Sequence, residues 1–465
     1  MDVFSTTTQL AAEIRQGGIS ARETLGLFLA QIEKHNPALN AVNIVDPDAA
    51  TKRAQAADEA LSRGELCGPL HGVPFTLKDA HSTAGLRTTV GFPPFANYVP
   101  EIDSTVVARL KKAGAVLIGK TNVPVMLGDH QTDNPLFGRT NNPWDIERTP
   151  GGSSGGAAAA VAAGMTPFEV GTDLANSIRL PAHFCGVYGL KPTEKRVSLN
   201  GLIPNPDKIP RPIRIMSCIG PLARTVEDLA LVYRIIAGPD DGDTELQPVP
   251  VDAVPKLSLA DLRIAFAPTL PGFPVAQDIR LKVEELARAL ERSGARVEEA
   301  PLPKLYLPDE FTRAGRLIGM MLGTAQPVTD RKPITLAEYF QALDERDRSI
   351  QAWERFFQSW DVLLCPVSMT TAFKHCVAGK PLQVDGRGEE YWLVSAHGTI
   401  FNYTGHPAVA LPCGFDRGGL PIGLQLVGKR WSESRLLAIA QAVSAVAGEF
   451  RQPPGFGQNS ASSIQ

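Results

Sequence analysis

PGGSSGGAAAAVAAG, residues 150–164, followed three residues later by FEVGTDLANSIRLPAHFCGVYGLKP, residues 168–192, is the stretch whose reading decides the fold. Glycines bracket two serines ahead of a run of alanines, and three readings are open. Glycines that open an alanine-rich helix can cradle a phosphate on backbone N–H groups, but the Gly-Lys-Ser/Thr ending of a phosphate loop is absent. Ser153 or Ser154 fits the G-x-S-x-G elbow that presents a nucleophile. That elbow needs a strand directly before it, and RTNNPWDIERTP, residues 139–150, is polar and interrupted by proline. In the third reading the glycines permit tight turns and the serines cap the following helix. Taken alone, the stretch favours this last one.

Working outward, short β-like runs alternate with helical ones. GVPFTL (72–77), AVLIG (115–119) and FEVGT (168–172) are the former; TVVARLKKAG (105–114) and AAAAVAA (157–163) are the latter. Residues 8–35 and 48–63 carry apolar positions at helical spacing, with Ser20 as an N-cap, so two helices are expected to open the chain. Segments 203–213 and 238–256 read as loops, and TVEDLALVYRIIAG between them reads as an amphipathic helix ending at Gly238. LRIAF, DIRLKVEELARALERSG and ARVEE form a β-α-β unit. VALPCGF, GLPIGLQLVGK and ESRLLAIAQAVSAVA read as two strands and a closing helix. The expectation is an α/β protein, one large domain over 1–465 with a mixed central β-sheet flanked by helices on both sides. Within it, 68–195 is the core, 240–360 a variable substrate-side segment and 452–465 a flexible polar tail.

Composition narrows the function. The 465 residues include 46 lysines and arginines against 49 acidic residues, a formal charge of -3, which gives no reason to expect nucleic acid or an anionic membrane as partner. The N-terminus lacks the basic and apolar regions of a leader, and no apolar run is long enough to span a bilayer, so a soluble, cytoplasmic protein is expected. The cysteines, Cys67, Cys185, Cys218, Cys365, Cys376 and Cys413, are scattered without C-x-x-C, and the eight histidines show no paired ligand spacing. Reduced, inert thiols are expected, with no metal and no cofactor.

The order of Lys78 in HGVPFTLKDA, Ser153 in GGSSGG and Ser177 in GTDLANSIR, with 24 positions between the serines, resembles the amidase signature family. So do AGLRTTVGF (84–92), NPLFGRTNNPWD (134–145), LPAHFCGVYGLKPT (180–193), GPLARTVEDLA (220–230), TGHPAVALPCGF (404–415) and GLPIGLQLVG (419–428). The resemblance implies a metal-independent serine amidohydrolase. Its nucleophile would be Ser177, with Ser153 relaying the proton to a neutral Lys78. An oxyanion hole would be formed by the main chain of Leu174, Ala175, Asn176 and Ser177, and Asp173 and Arg179 would fix the loop. Leu127 and Asp129 would line the acyl side of the pocket. Amide hydrolysis needs these parts, because an amide carbonyl is a poor electrophile and its leaving nitrogen must be protonated. Each residue also has a plain reading: Lys78 as a solvated edge beside Asp79, Ser177 as a helix cap, Met126 and Leu127 as core.

The sequence departs from its family where Ala175-Asn176 stands in place of Gly-Gly. Asn tolerates a left-handed backbone, so Asn176 is expected to preserve the loop with its side chain narrowing the pocket or bonding substrate. TRAGRLIGMMLG, 312–323, reads as a lid or a packed helix. The expected partner is a small amide, carbamate or ester substrate, with a homodimer as a compatible assembly. Alternatives are a non-catalytic binding module, a serine-histidine hydrolase using His397 or His406, and the glutamine-hydrolysing component of an amidotransferase.

Overall fold

The computed structural model describes residues 1–205, 211–323 and 333–457. The expected loop over 203–213, the variable segment over 240–360 and the tail over 452–465 each fall partly outside those residues. Three helices, not two, open the chain: α1 (Thr7–Gln16), α2 (Ala21–Leu39) and, after strand β1 (Val42–Val45), α3 (Pro47–Ser62). The run at 8–35 breaks because Gly17 caps α1 with φ 74° while Ser20 and Glu23 form a capping box that starts α2. Then come β2 (Pro74–Lys78), α4 (Thr105–Lys112), β3 (Val116–Thr121), α5 (Gly155–Ala162), β4 (Phe168–Asp173), α6 (Arg179–Cys185), β5 (Tyr188–Lys191), β6 (Cys218–Ala223) and α7 (Val226–Ile236). The β-α-β unit is β7 (Arg263–Phe266), α8 (Gln277–Arg292) and β8 (Arg296–Glu299), its strands parallel. Two long helices follow, α9 (Leu307–Gly323) and α10 (Leu336–Ser359), then β9 (Val362–Pro366), the small hairpin β10 (Leu382–Val384) and β11 (Arg387–Glu389), α11 (Ala396–Tyr403), β12 (Ala408–Phe415), β13 (Pro421–Gly428) and α12 (Glu433–Ala447).

An eight-stranded mixed sheet in the order β4-β6-β5-β12-β13-β9-β7-β8 organises the molecule, with a three-stranded sheet β1-β3-β2 beside its β4 edge. Side chains alternate across a strand. In β9, Val362 and Leu364 join one apolar cluster with α7, α8 and α12, while Leu363 and Cys365 join another with α10 and α11. In β12, Val409 and Leu411 belong to the first cluster and Ala408 and Ala410 to the opposite side. Both faces of the sheet are therefore covered by helices, the arrangement expected from the alternating pattern.

Where β2 faces β4 the two sheets meet without a backbone ladder. Phe75 and Phe168 stack across the seam with ring centroids 5.3 Å apart, and the Thr76 N–H donates to Thr166 Oγ1 at 3.0 Å. All eight residues of α5 are buried. Alanine suits this site, because helix, strand and glycine loop approach too closely for a larger side chain.

Candidate active site

Lys78 ends β2 with no exposed surface, so it is not a solvated edge. Its Nζ lies 2.8 Å from each of three hydroxyl oxygens, Ser153 Oγ, Ser154 Oγ and Thr172 Oγ1. Burial pulls its pKa down to about 7, against the opposing pull of Asp173 and Glu169. A neutral amine in this cage donates two protons and accepts one, so a serine hydroxyl can hydrogen-bond to its lone pair.

The glycine loop brings the serines to this amine. Gly152 packs so tightly that a Cβ there would lie 2.5 Å from Asp129 O and 2.8 Å from Gln131 O, and the peptide joining it to Ser153 is cis. Ser154 holds the N-cap position of α5 yet makes no side-chain capping bond; its hydroxyl serves Lys78 and Thr172 instead. No strand precedes the loop, which removes the elbow reading. The Ser154 N–H donates to the Ser177 carbonyl at 3.2 Å, tying the two serine loops together.

Ser177 lies between β4 and α6 and is 7% exposed. The cap of α6 is Ile178, not Ser177, and the helix runs through Pro181 to Cys185 rather than ending near the proline. Pro181 sits in the first turn, where its missing N–H has no helical acceptor to lose. Below the loop, Arg179 donates from Nε to Asp173 Oδ2 at 3.0 Å and from Nη2 to Asp173 Oδ1 at 3.1 Å, with both side chains fully buried. Its other donors reach Asn402 Oδ1 at 2.5 Å and Gln425 Oε1 at 3.0 Å. Burial alone would raise the Asp173 pKa, but Arg179 and these hydrogen bonds hold it well below its ordinary value.

Asp173 also takes the N–H groups of Asn176 at 2.9 Å and Ile178 at 3.1 Å. This corrects the expected oxyanion set: the Asn176 N–H points at Asp173 Oδ1 and Asn402 Oδ1, so it is not free for substrate. Among the described residues, none accepts from the N–H of Ala175 or Ser177. Leu174 turns its side chain toward the cluster of Met216, Leu317 and Met320. Asn176 has φ 77°, and Ala175 is not among the positive-φ residues. The Asn176 side chain is fully buried and donates from Nδ2 to Val367 O at 2.9 Å. It fills the space left by Gly398, where a Cβ would lie 2.1 Å from Asn176 Oδ1. Asn176 therefore braces the loop against α11, and the expectation that it narrows the pocket or bonds substrate is corrected: its side chain is packed away by Gly398 and Val367.

On the other side, Met126 and Leu127 take left-handed backbone angles, φ 50° and 62°, and Met126 is 43% exposed. Asp129 is half-buried, and its Oδ1 accepts from the Tyr391 hydroxyl and the His130 N–H. Its pKa is raised by burial, with the Tyr391 hydrogen bond opposing. Gln131 bonds Tyr391 and the Cys376 backbone, and His130 meets the Trp392 ring edge-on at 5.5 Å. Residues 312–323 lie within α9, whose Ala314, Leu317, Met320 and Met321 are buried in the cluster that Leu174 borders.

His397 and His406 are fully buried, with burial pulling their pKa values to about 3 and about 4; His406 bonds Thr404 and faces Glu354, and neither ring hydrogen-bonds to a serine. Among the described residues no group of three or more His, Cys, Asp or Glu side chains could hold a metal ion, and no helix is long and apolar enough to cross a membrane. Sequence reading missed Ser154, Thr172, Glu169 and Asn402. Only Glu169 carried a local signal, a carboxylate inside an otherwise buried strand.

This fold and site define an amidohydrolase, an enzyme that hydrolyses C–N bonds. The family described as Amidase matches residues 23–314 and 317–437, and the chain belongs to it. It is 35% identical, over 98% of its own length and 99% of the relative's, to the A-type chain of the glutamyl-tRNA(Gln) amidotransferase of Moorella thermoacetica. Among solved structures, a 6-aminohexanoate cyclic dimer hydrolase complexed with substrate superposes with TM-score 0.81 and 28% identity, covering 98% of this chain and 100% of that one. A bacterial aryl acylamidase does so with TM-score 0.82 and 27% identity, covering 95% and 96%.

Proposed function

We propose that the chain hydrolyses small aryl or alkyl amides, with carbamates or esters as side substrates, through an acyl-enzyme on Ser177. The observation that carries this reading is the 2.8 Å contact between a fully buried Lys78 Nζ and Ser153 Oγ. Neutral Lys78 accepts the Ser153 proton while Ser153 accepts that of Ser177, and the freed Ser177 oxygen bonds to the carbonyl carbon. The N–H groups of Ala175 and Ser177 meet the developing oxyanion. Collapse breaks the C–N bond, and the nitrogen leaves with the proton returned through Ser153. Water then attacks the ester along the same relay, releasing acid and free Ser177. Leu127 and Asp129 meet the acyl group, and the Asp173–Arg179 pair holds the nucleophile loop.

A panel of p-nitroanilide, aryl amide, ester and carbamate substrates, run beside Ser177→Ala with a fluorophosphonate probe, tests this. Hydrolysis and probe labelling are expected in the parent and lost in the variant; equal turnover in both would remove Ser177 from the reaction. One observation favours a second reading, glutamine hydrolysis within an amidotransferase: the 35% identity to a chain of that name. It predicts strict glutamine use and a requirement for a partner protein. Turnover of aryl amides by the isolated chain would decide against it.

A further inference from the structure

Glu169 is the acidic side chain in the seam between the two sheets, and the acyl-enzyme cycle does not use it. It lies in β4 with no exposed surface, in a strand otherwise formed by Phe168, Val170, Gly171, Thr172 and Asp173. Its carboxylate is fully engaged. Oε2 accepts the Lys78 backbone N–H at 3.1 Å and the Val170 N–H at 2.8 Å, while Oε1 accepts the Thr121 hydroxyl at 2.8 Å. The first of these bonds stands where a ladder bond between β2 and β4 would otherwise be, and it holds the residue that presents the relay amine. A buried carboxylate is expensive to retain and is found where it is paired or hydrogen-bonded.

We propose that Glu169 is a positioning residue of the relay: its carboxylate clamps the Lys78 backbone across the seam and supplies negative charge that tunes the protonation of the Lys78 amine. This rests on the reading of Lys78 as the base. Lys78 Nζ is surrounded by hydroxyls and touches no carboxylate directly, so the charges in the next shell decide how readily it holds a proton. From β4 these are Glu169 and Asp173, and Asp173 is committed to Arg179. From β3 it is Lys120, buried, pulled down to about 8 by burial, and facing both Asp79 and Glu169. From the loop after β2 it is His81, which burial keeps neutral with a pKa of about 3. Helix α5 carries no titratable side chain. Burial pushes Glu169 itself up to about 7 against its hydrogen bonds, so it and Lys78 change charge over the same pH range.

Glu169→Gln separates clamp from charge. The new amide oxygen can accept the Lys78 and Val170 N–H groups, and its NH2 can donate to Thr121 once that hydroxyl turns, so the seam stays satisfied while the charge disappears. The measurement is the pH dependence of fluorophosphonate inactivation and of kcat/KM on a p-nitroanilide, with circular dichroism as a check on folding. An anion facing Lys78 favours its ammonium form; removing it lets the neutral amine persist to lower pH. The acid limb is therefore expected to move down by about one pH unit in Glu169→Gln. Thr121→Val keeps the carboxylate but weakens its ionised form, so a smaller shift in the same direction is expected, and this arm decides if Glu169→Gln fails to fold. A role confined to holding the fold would change the height of the profile and leave the limb in place. Acid limbs coincident with the parent overturn the proposal, while Ser177-dependent labelling of the parent would still stand. Absence of that labelling in the parent would instead remove the relay reading itself.

Discussion

Lys78, Ser153, Ser154 and Glu169 are at most 2% exposed, whereas Met126 and Trp392, in segments that flank Asp129, are 43% and 42% exposed. The relay region is made by backbone at close quarters: the loop around Gly152, the alanine helix and a seam where side chains replace ladder bonds. The pocket side is made by side chains on a left-handed turn and on the long helices α9 and α10, in the part of the chain where resemblance to the family is weakest. Chemistry that needs a depressed lysine pKa needs burial, and burial leaves little freedom to change. Substrate choice needs contact with solvent and tolerates change. The difference is sharp enough to break by experiment.

The largest effect is expected at Lys78. Lys78→Met keeps the volume of the side chain but removes the amine, and kcat/KM is expected to fall about 10^4-fold with the circular dichroism spectrum unchanged. In the parent the active form is the neutral amine, whose pKa of about 7 means protonation as pH falls below that value. Activity should therefore rise through about pH 7, and the residual activity of Lys78→Met should lose that limb. Retained activity in the variant would place the base elsewhere.

Next is the support beneath the nucleophile. Arg179→Met leaves Asp173 buried without its cation, and loss of one partner of such a pair costs about 3–5 kcal/mol. Urea unfolding should show the loss. A change under about 1 kcal/mol would mean that Asn402 and the loop N–H groups suffice to hold the carboxylate, and that the region is less tightly constrained than its burial implies.

The same contrast explains what the sequence made legible. Lys78, Ser153 and Ser177 stand in short motifs because glycines and alanines crowd around them, so the constraint is written locally. Asn402 and Gln425 reach Arg179 from more than two hundred residues away, and no local pattern marks them. Gly17 and Pro181 misled in opposite ways: a helical period carried across a glycine cap, and a helix was stopped at a proline that its first turn accommodates. Asn176 was correctly placed in a left-handed turn from its residue type alone, but where its side chain points depends on Gly398, which only the folded chain brings near.

That coupling gives a smaller and more specific effect. Gly398→Ala places a Cβ against Asn176 and is expected to cost about 1–3 kcal/mol through overpacking. Combining it with Asn176→Gly removes the obstruction, so the double variant should be more stable than the sum of the two single effects. Simple additivity would mean that α11 yields to the side chain and that Asn176 is not its brace.

The smallest effect is expected on the pocket side. Leu127→Ala keeps an L-residue at φ 62° and shortens a half-buried side chain, so it should alter kcat/KM for bulky against small acyl groups by about tenfold or less. The rate of Ser177 labelling by a small fluorophosphonate should stay near that of the parent, because such a probe reads the relay and makes little use of the acyl wall. If labelling instead fell as far as amide turnover, the turn at 125–127 would have to be holding the glycine loop in place through Asp129 and Gln131, whose carbonyls pack on Gly152. The division between a fixed relay and an adaptable pocket would then fail at that turn, and the segment would belong to the constrained half of the site.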